Sequence, residues 1–133
     1  MNKYLFFLLI SLSLSMISTA QDANSEAKKD YEKGDKYFKQ SKYDKAAIYF
    51  EKAANMGYAD AQNMLGNLYK RGKGVTQDYH KAFDFFHKAA LQGNARAQYN
   101  IGMLYEDGLG VKQDYAIAIE WYQKAANQGY AIS

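Results

Sequence analysis

Lys52-Ala53-Ala54-Asn55-Met56-Gly57, Lys88-Ala89-Ala90-Leu91-Gln92-Gly93 and Lys124-Ala125-Ala126-Asn127-Gln128-Gly129 recur at a spacing of 36 residues. A fixed period of this size marks an array in which each repeat is one supersecondary unit stacked on the next. Residues 58–93 laid on 94–129 agree at 18 of 36 positions without a gap. The agreeing positions are mostly small or apolar and fall at helical intervals. Ala61/Ala97, Leu68/Leu104 and Tyr69/Tyr105 form one stripe, and Ala82/Ala118 with Ala89-Ala90/Ala125-Ala126 form another. Each unit therefore reads as a pair of amphipathic helices.

Turn chemistry sets the boundaries of those helices. Gly72 and Gly108 sit where a first helix starting near Ala59 or Ala95 must stop, offering the left-handed residue that a Cβ resists. Gly74 and Gly110 shape the loop, with Val75 and Val111 as its apolar plugs. Asp78 and Asp114 precede the next apolar pattern and read as N-caps, while Gly57, Gly93 and Gly129 close the second helices. Upstream, Gly34, Tyr37, Tyr43, Ala46, Phe50 and Ala53 fall at the small and aromatic positions of a tetratricopeptide pattern, and Ser41 with Asp44 resembles a capping box. Gly34 to Tyr43 is 9 residues, against 13 for Gly66 to Tyr79 and Gly102 to Tyr115, so this first unit lacks a four-residue insertion in its inter-helix loop.

The two longer units resemble Sel-one-like repeats, relatives of the tetratricopeptide repeat. The signature is Ala-x-Ala-Gln, then Gly-x-Leu-Tyr, Gly-x-Gly-Val-x-Gln-Asp-Tyr and Lys-Ala-Ala-x-Gln-Gly, and it covers residues 59–129 closely and 27–57 more loosely. The resemblance implies an all-α, right-handed α-solenoid of stacked helix pairs that serves as an adaptor. Exported bacterial members of that family bind regulatory, envelope or host proteins. The expected divisions are a signal peptide over 1–20, a short N-terminal tail over 21–26, a tetratricopeptide-like repeat over 27–58, and Sel-one-like repeats over 59–94 and 95–133.

Composition narrows the function from the other side. The chain of 133 residues has no Cys, which excludes disulfides, thiolate metal sites and cysteine nucleophiles. Its formal charge is +3 with both signs interleaved, so it lacks the concentrated basic field that grips nucleic acid, and no nucleic-acid partner is expected. Aromatic content of 16% is that of a packed chain. At the start, Lys3, an apolar stretch from Tyr4 to Ile17 and the small residues Ser18-Thr19-Ala20 make a secretory signal peptide. The stretch is shorter than the ~20 residues of a comfortable membrane span. Cleavage after Ala20 leaves a soluble protein in the periplasm or outside the cell, with no stable membrane insertion.

In the tetratricopeptide plan the first helix of each pair lines the concave side. That plan implies a protein- or peptide-binding surface built from Tyr31 and Phe38; Asn63, Asn67, Lys70 and Arg71; and Arg96, Tyr99, Met103, Glu106 and Asp107. Tyr31, Phe38, Tyr99 and Met103 suit apolar anchors, and Asn63 and Asn67 suit the backbone of an extended ligand. Lys70-Arg71 and Glu106-Asp107 reverse sign between units, which either orients a charged ligand or pairs the four with one another or with water.

Other constellations read as structure. His80, Asp84 and His87 share a helix face opposite Ala82, Phe85, Phe86 and Ala89, which makes them solvated, and no metal or cofactor is expected. Ser25-Glu26-Ala27-Lys28 formally matches the Ser-x-x-Lys of penicillin-recognising enzymes, but Ser25 reads as an N-cap, and Lys-Thr-Gly and Ser-Asp-Asn are absent. The competing function is thus a β-lactam- or peptidoglycan-acting enzyme or a glycan-binding protein, with Trp121-Tyr122 as its stacking platform. Because Phe85-Phe86 and Tyr49-Phe50 occupy the same positions, core packing is the reading for all three pairs. The last helix is expected to expose Ala118, Trp121, Tyr122 and Ala125, with Tyr130, Ala131 and Ile132 trailing, a stripe to be covered by a homodimer or by a partner, or left poorly covered in a shortened version of a longer array.

Overall fold

The computed structural model describes residues 2–130, and these form six α-helices: α1 (Lys3–Lys39), α2 (Tyr43–Asn55), α3 (Ala59–Arg71), α4 (Tyr79–Leu91), α5 (Ala95–Asp107) and α6 (Tyr115–Asn127). Helices α1–α2, α3–α4 and α5–α6 pack as pairs, and α2 on α3 and α4 on α5 join successive pairs, which makes an all-α solenoid. Ala131 and Ile132 lie outside the described residues.

Glycine against an aromatic ring fixes each pair. A Cβ on Gly34 would lie 2.7 Å from the Phe50 ring, one on Gly66 2.7 Å from Phe86, and one on Gly102 2.6 Å from Tyr122. The first helix therefore approaches the second as closely as backbone allows, and the rings, buried at Phe50 and Phe86 and half-buried at Tyr122, fill the gap. Between pairs, Ala61, Leu65 and Leu68 of α3 seal against Ala46, Ala47, Phe50, Ala53 and Ala54 of α2. Ala97, Ile101 and Leu104 of α5 do the same against Ala82, Phe86, Ala89 and Ala90 of α4.

The expected turns are present. Gly72 and Gly108 are left-handed with φ of 62° and 64°. Asp78 Oδ1 accepts from the Lys81 N–H at 3.0 Å and Asp114 Oδ1 from the Ile117 N–H at 3.1 Å. Val75 and Val111 pack against the two core clusters. The inserted loop also has a tertiary role: a Cβ on Gly74 would run into the Tyr43 carbonyl, and one on Gly110 would lie 2.6 Å from the Tyr79 carbonyl oxygen. Each long loop thus rests on the start of the preceding unit's second helix.

Two local expectations are corrected. The Ser41–Asp44 capping box does not form: Lys42 is the N-cap of α2 without a side-chain bond, and Ser41 adopts φ 58° in the turn that closes α1. Ser25 is not an N-cap, because α1 is continuous from Lys3 and runs through residues 21–26. No Gly or Pro interrupts residues 3–33, so nothing stops helix propagation. The hydroxyls of Ser11, Ser13, Ser15 and Thr19 donate to carbonyls three residues back at 2.8–2.9 Å, which satisfies them inside the apolar segment. Helix α1 as a whole is long enough, and apolar enough over an 18-residue window that is nowhere buried, to cross a membrane, which is compatible with a signal sequence.

Candidate binding grooves between units

The last turns of α3 and α5, with the glycine loops that follow, enclose two grooves in the same structural register. The first, about 210 Å³, lies between units one and two and is lined by Phe38, Met64, Asn67, Leu68, Arg71 and Lys73. The second, about 260 Å³, lies between units two and three and is lined by Lys70, Arg71, Tyr79, Met103, Asp107 and Leu109. Gly34, Gly66 and Gly102 align the units, so Phe38 corresponds to Lys70, Asn67 to Met103, Arg71 to Asp107 and Lys73 to Leu109. One frame therefore carries two different linings.

The frame is held by invariant groups beneath. Gln77 Nε2 donates to the Lys70 carbonyl at 2.9 Å, and Gln113 Nε2 to the Glu106 carbonyl at 2.8 Å, satisfying carbonyls that a helix end leaves open. Lys73 Nζ sits 4.9 Å from the centre of the Tyr43 ring. Burial, with Arg71 adding repulsion, lowers the Lys70 pKa; Asp107 across the groove only partly offsets them. Among the described residues the ion pairs are Lys28–Glu32 and Lys39–Asp35, so the four charges at 70, 71, 106 and 107 do not pair with one another.

Of the residues expected at the binding surface, Phe38, Asn67, Lys70, Arg71, Met103 and Asp107 converge on these grooves. The others go elsewhere. Asn63 is buried, at 4% exposure, and its Oδ1 accepts from Asn100 Nδ2 of the next unit at 2.9 Å, so its expected role toward a ligand backbone is corrected. Tyr31 packs on Phe50 and Tyr58, with ring centres 5.8 and 5.2 Å away, and Tyr99 packs on Tyr122 and Tyr130 at 5.2 and 5.4 Å. Burial, then Asp60 and Asp35, raise the Tyr31 pKa. The Tyr122 hydroxyl donates to Glu106 Oε2, and desolvation with that carboxylate raises the Tyr122 pKa well above its ordinary value. Arg96 is exposed beyond the grooves.

A ladder of amides runs beside these aromatic contacts. Gln62 Nε2 donates to the Ala54 carbonyl and Gln98 Nε2 to the Ala90 carbonyl, at 3.2 and 3.4 Å. Gln92 Nε2 then donates to Gln62 Oε1, and Gln128 Nε2 to Gln98 Oε1, each at 2.8 Å. Its signal was in the sequence, since all four are identical between the copies. Of the His80–Asp84–His87 face, His87 is half-buried, its ring stacked on Phe83 at 5.6 Å and meeting Trp121 at 6.1 Å. The expected exposure of Ala118 and Ala125 is also corrected: they are 2% and 1% exposed against α5, and α6 instead presents Ile119 and Ala126.

A family model described as the Sel1 repeat matches residues 26–58, 59–94 and 95–130. Among solved structures the chain is similar to a protective antigen of uropathogenic Escherichia coli strains that displays an SLR fold. The TM-score is 0.74 and the identity 41%, over 82% of this chain and 24% of that one. A Sel1 repeat protein from Oxalobacter formigenes matches with TM-score 0.70 and 37% identity, over 74% of this chain and 40% of that one. Helicobacter pylori cysteine rich protein B matches with TM-score 0.61 and 27% identity, over 64% of each chain. The chain thus spans between about a quarter and two thirds of these proteins. No curated protein matches it significantly.

Proposed function

The chain belongs to the Sel1 repeat family, and on that premise we propose that it is a non-catalytic adaptor of the cell envelope or secreted fraction that binds a protein or peptide along its concave, groove-bearing face. Sel1 repeat proteins are typically protein-interaction modules and generally non-catalytic helical scaffolds. The observation that carries the reading is the pair of grooves in equivalent register: the supporting positions are identical between units, while Phe38/Lys70, Asn67/Met103, Arg71/Asp107 and Lys73/Leu109 differ. Packing requires the constant set, which leaves the variable set to specify a ligand. The N-terminal apolar helix, compatible with a signal sequence, supports export with cleavage after Ala20. The same reading includes a homodimer through α6, supported by Ile119 at 54% exposure.

Crosslinking and co-purification from the exporting cell, repeated with Asn67→Ala and Met103→Ala combined, tests the adaptor role. The expected result is a defined set of captured proteins that the double variant loses; an unchanged set removes the groove-bearing face from consideration. Sedimentation across a concentration series tests the dimer, and Ile119→Lys is expected to shift it to monomer.

A further inference from the structure

We infer that the two grooves flanking Arg71 together take one extended segment of a partner in which a carboxylate side chain is bracketed by apolar residues. This deepens the peptide-binding reading above and rests on it. Each groove, at about 210 and 260 Å³, falls below the ~300–1,000 Å³ of pockets that enclose a small-molecule ligand. They are sized for single side chains. Arg71 lines both, so a chain crossing from one groove to the other passes its guanidinium.

Charge selects what lies at the crossing. Lys70 and Arg71 in the last turn of α3 and Lys73 in the loop place three cations at the divide, and none forms an ion pair among the described residues. The acid lining the grooves, Asp107, stands on the outer wall of the second. Asp107 attracts Lys70 across the groove but forms no ion pair with it, so among the described residues the cluster has no paired counter-charge. A carboxylate supplies it, and the planar guanidinium binds one with two parallel hydrogen bonds. The floors select the neighbours: Phe38, Met64 and Leu68 on one side, Met103, Leu104 and Leu109 on the other. Asp107 sets direction by repelling the carboxylate toward Arg71 and Lys73.

The test is selection of random displayed peptides on the full chain, followed by affinity measurement of an enriched peptide. Expected are peptides with Asp or Glu between apolar residues. Their binding should weaken about ten- to hundredfold on Lys70→Gln, Arg71→Gln and Lys73→Gln combined, as loss of charge-assisted hydrogen bonds predicts. Arg71→Gln alone should give part of that loss and guards against unfolding of the triple variant, and Asp107→Asn should leave affinity equal or tighter. Enriched peptides without acids, or undiminished binding to both Gln variants, overturn the inference and leave peptide binding standing. Failure to enrich any peptide removes the peptide-binding reading itself, and this inference with it.

Discussion

The two ends of the solenoid solve the same problem in opposite ways. Where α3 has Ala61, Leu65 and Leu68 and α5 has Ala97, Ile101 and Leu104, all buried against a preceding unit, α1 has Lys29, Lys33 and Lys36, all exposed. The ring position shows the same substitution. Phe85 and Trp121 pack into the junction with the preceding unit, whereas Tyr49 is covered by Lys33, whose Nζ lies 4.4 Å from its ring centre and which stands where Leu65 and Ile101 do. At this position a lysine stem takes the place of a junction side chain and leaves a wet outer face. At the other end, α6 exposes Ile119 and Ala126, although the equivalent Ala90 is 4% exposed beneath α5, and Phe83 packs there against Tyr105. Among the described residues the first unit thus carries a polar face where later units carry a junction, and the last leaves exposed on α6 a position that its counterpart buries.

The middle unit, covered on both sides, should then carry the most energy per residue, and graded substitutions probe that contrast. Phe86→Ala is expected to cost ~3–5 kcal/mol in chemical denaturation, the range for a buried aromatic. Gly66→Ala, which drives a methyl into the same ring, should cost ~1–3 kcal/mol by overpacking. Asn100→Ala strips the buried Asn63 amide of its partner and should cost ~1–3 kcal/mol. Asp114→Ala, at the cap of the end helix, should cost ~1 kcal/mol. Smallest is Lys33→Leu, within ~0.5 kcal/mol as a surface change; its readout is self-association by sedimentation, since it gives the polar face the residue type of a junction. A Phe86→Ala loss no larger than that of Asp114→Ala would break the contrast.

Proton titration separates the ends as well. The folded-state pKa of Tyr122 lies above its ordinary 10.0, so the neutral hydroxyl is favoured by folding. Its contribution is complete below pH 10 and declines as the pH rises from there, because the unfolded chain releases that proton first. Alkaline unfolding followed by circular dichroism should therefore lose part of its steepness in Tyr122→Phe.

Local chemistry made the fold legible in the sequence. Left-handed Gly72 and Gly108, caps at Asp78 and Asp114, and the recurrence every 36 residues each act within a few residues and were read correctly. Misreadings arose where a distant partner or an uninterrupted backbone decides. Ser41 carries a cap-like side chain, but the turn that closes α1 places it at positive φ. Ser25 likewise has a capping side chain, yet the absence of a breaker carries α1 straight through it. Of the residues lining the candidate grooves, Asn67, Lys70 and Arg71 stand out in the sequence because they vary between copies. Asn63 and Tyr99 vary too, yet each is satisfied by contacts outside its own helix, Asn100 for one and Tyr122 with Tyr130 for the other. Variation marks freedom from the repeat's shared pattern, which includes freedom to make a private contact.

The glutamine ladder ties each seam to the far end of the unit that closes it. Gln62 donates back across the seam to the Ala54 carbonyl and accepts from Gln92 at the end of its own unit, and Gln98 does the same with Ala90 and Gln128. The end of each second helix therefore steadies the amide that reaches into the preceding unit, so fraying there loosens the junction behind it.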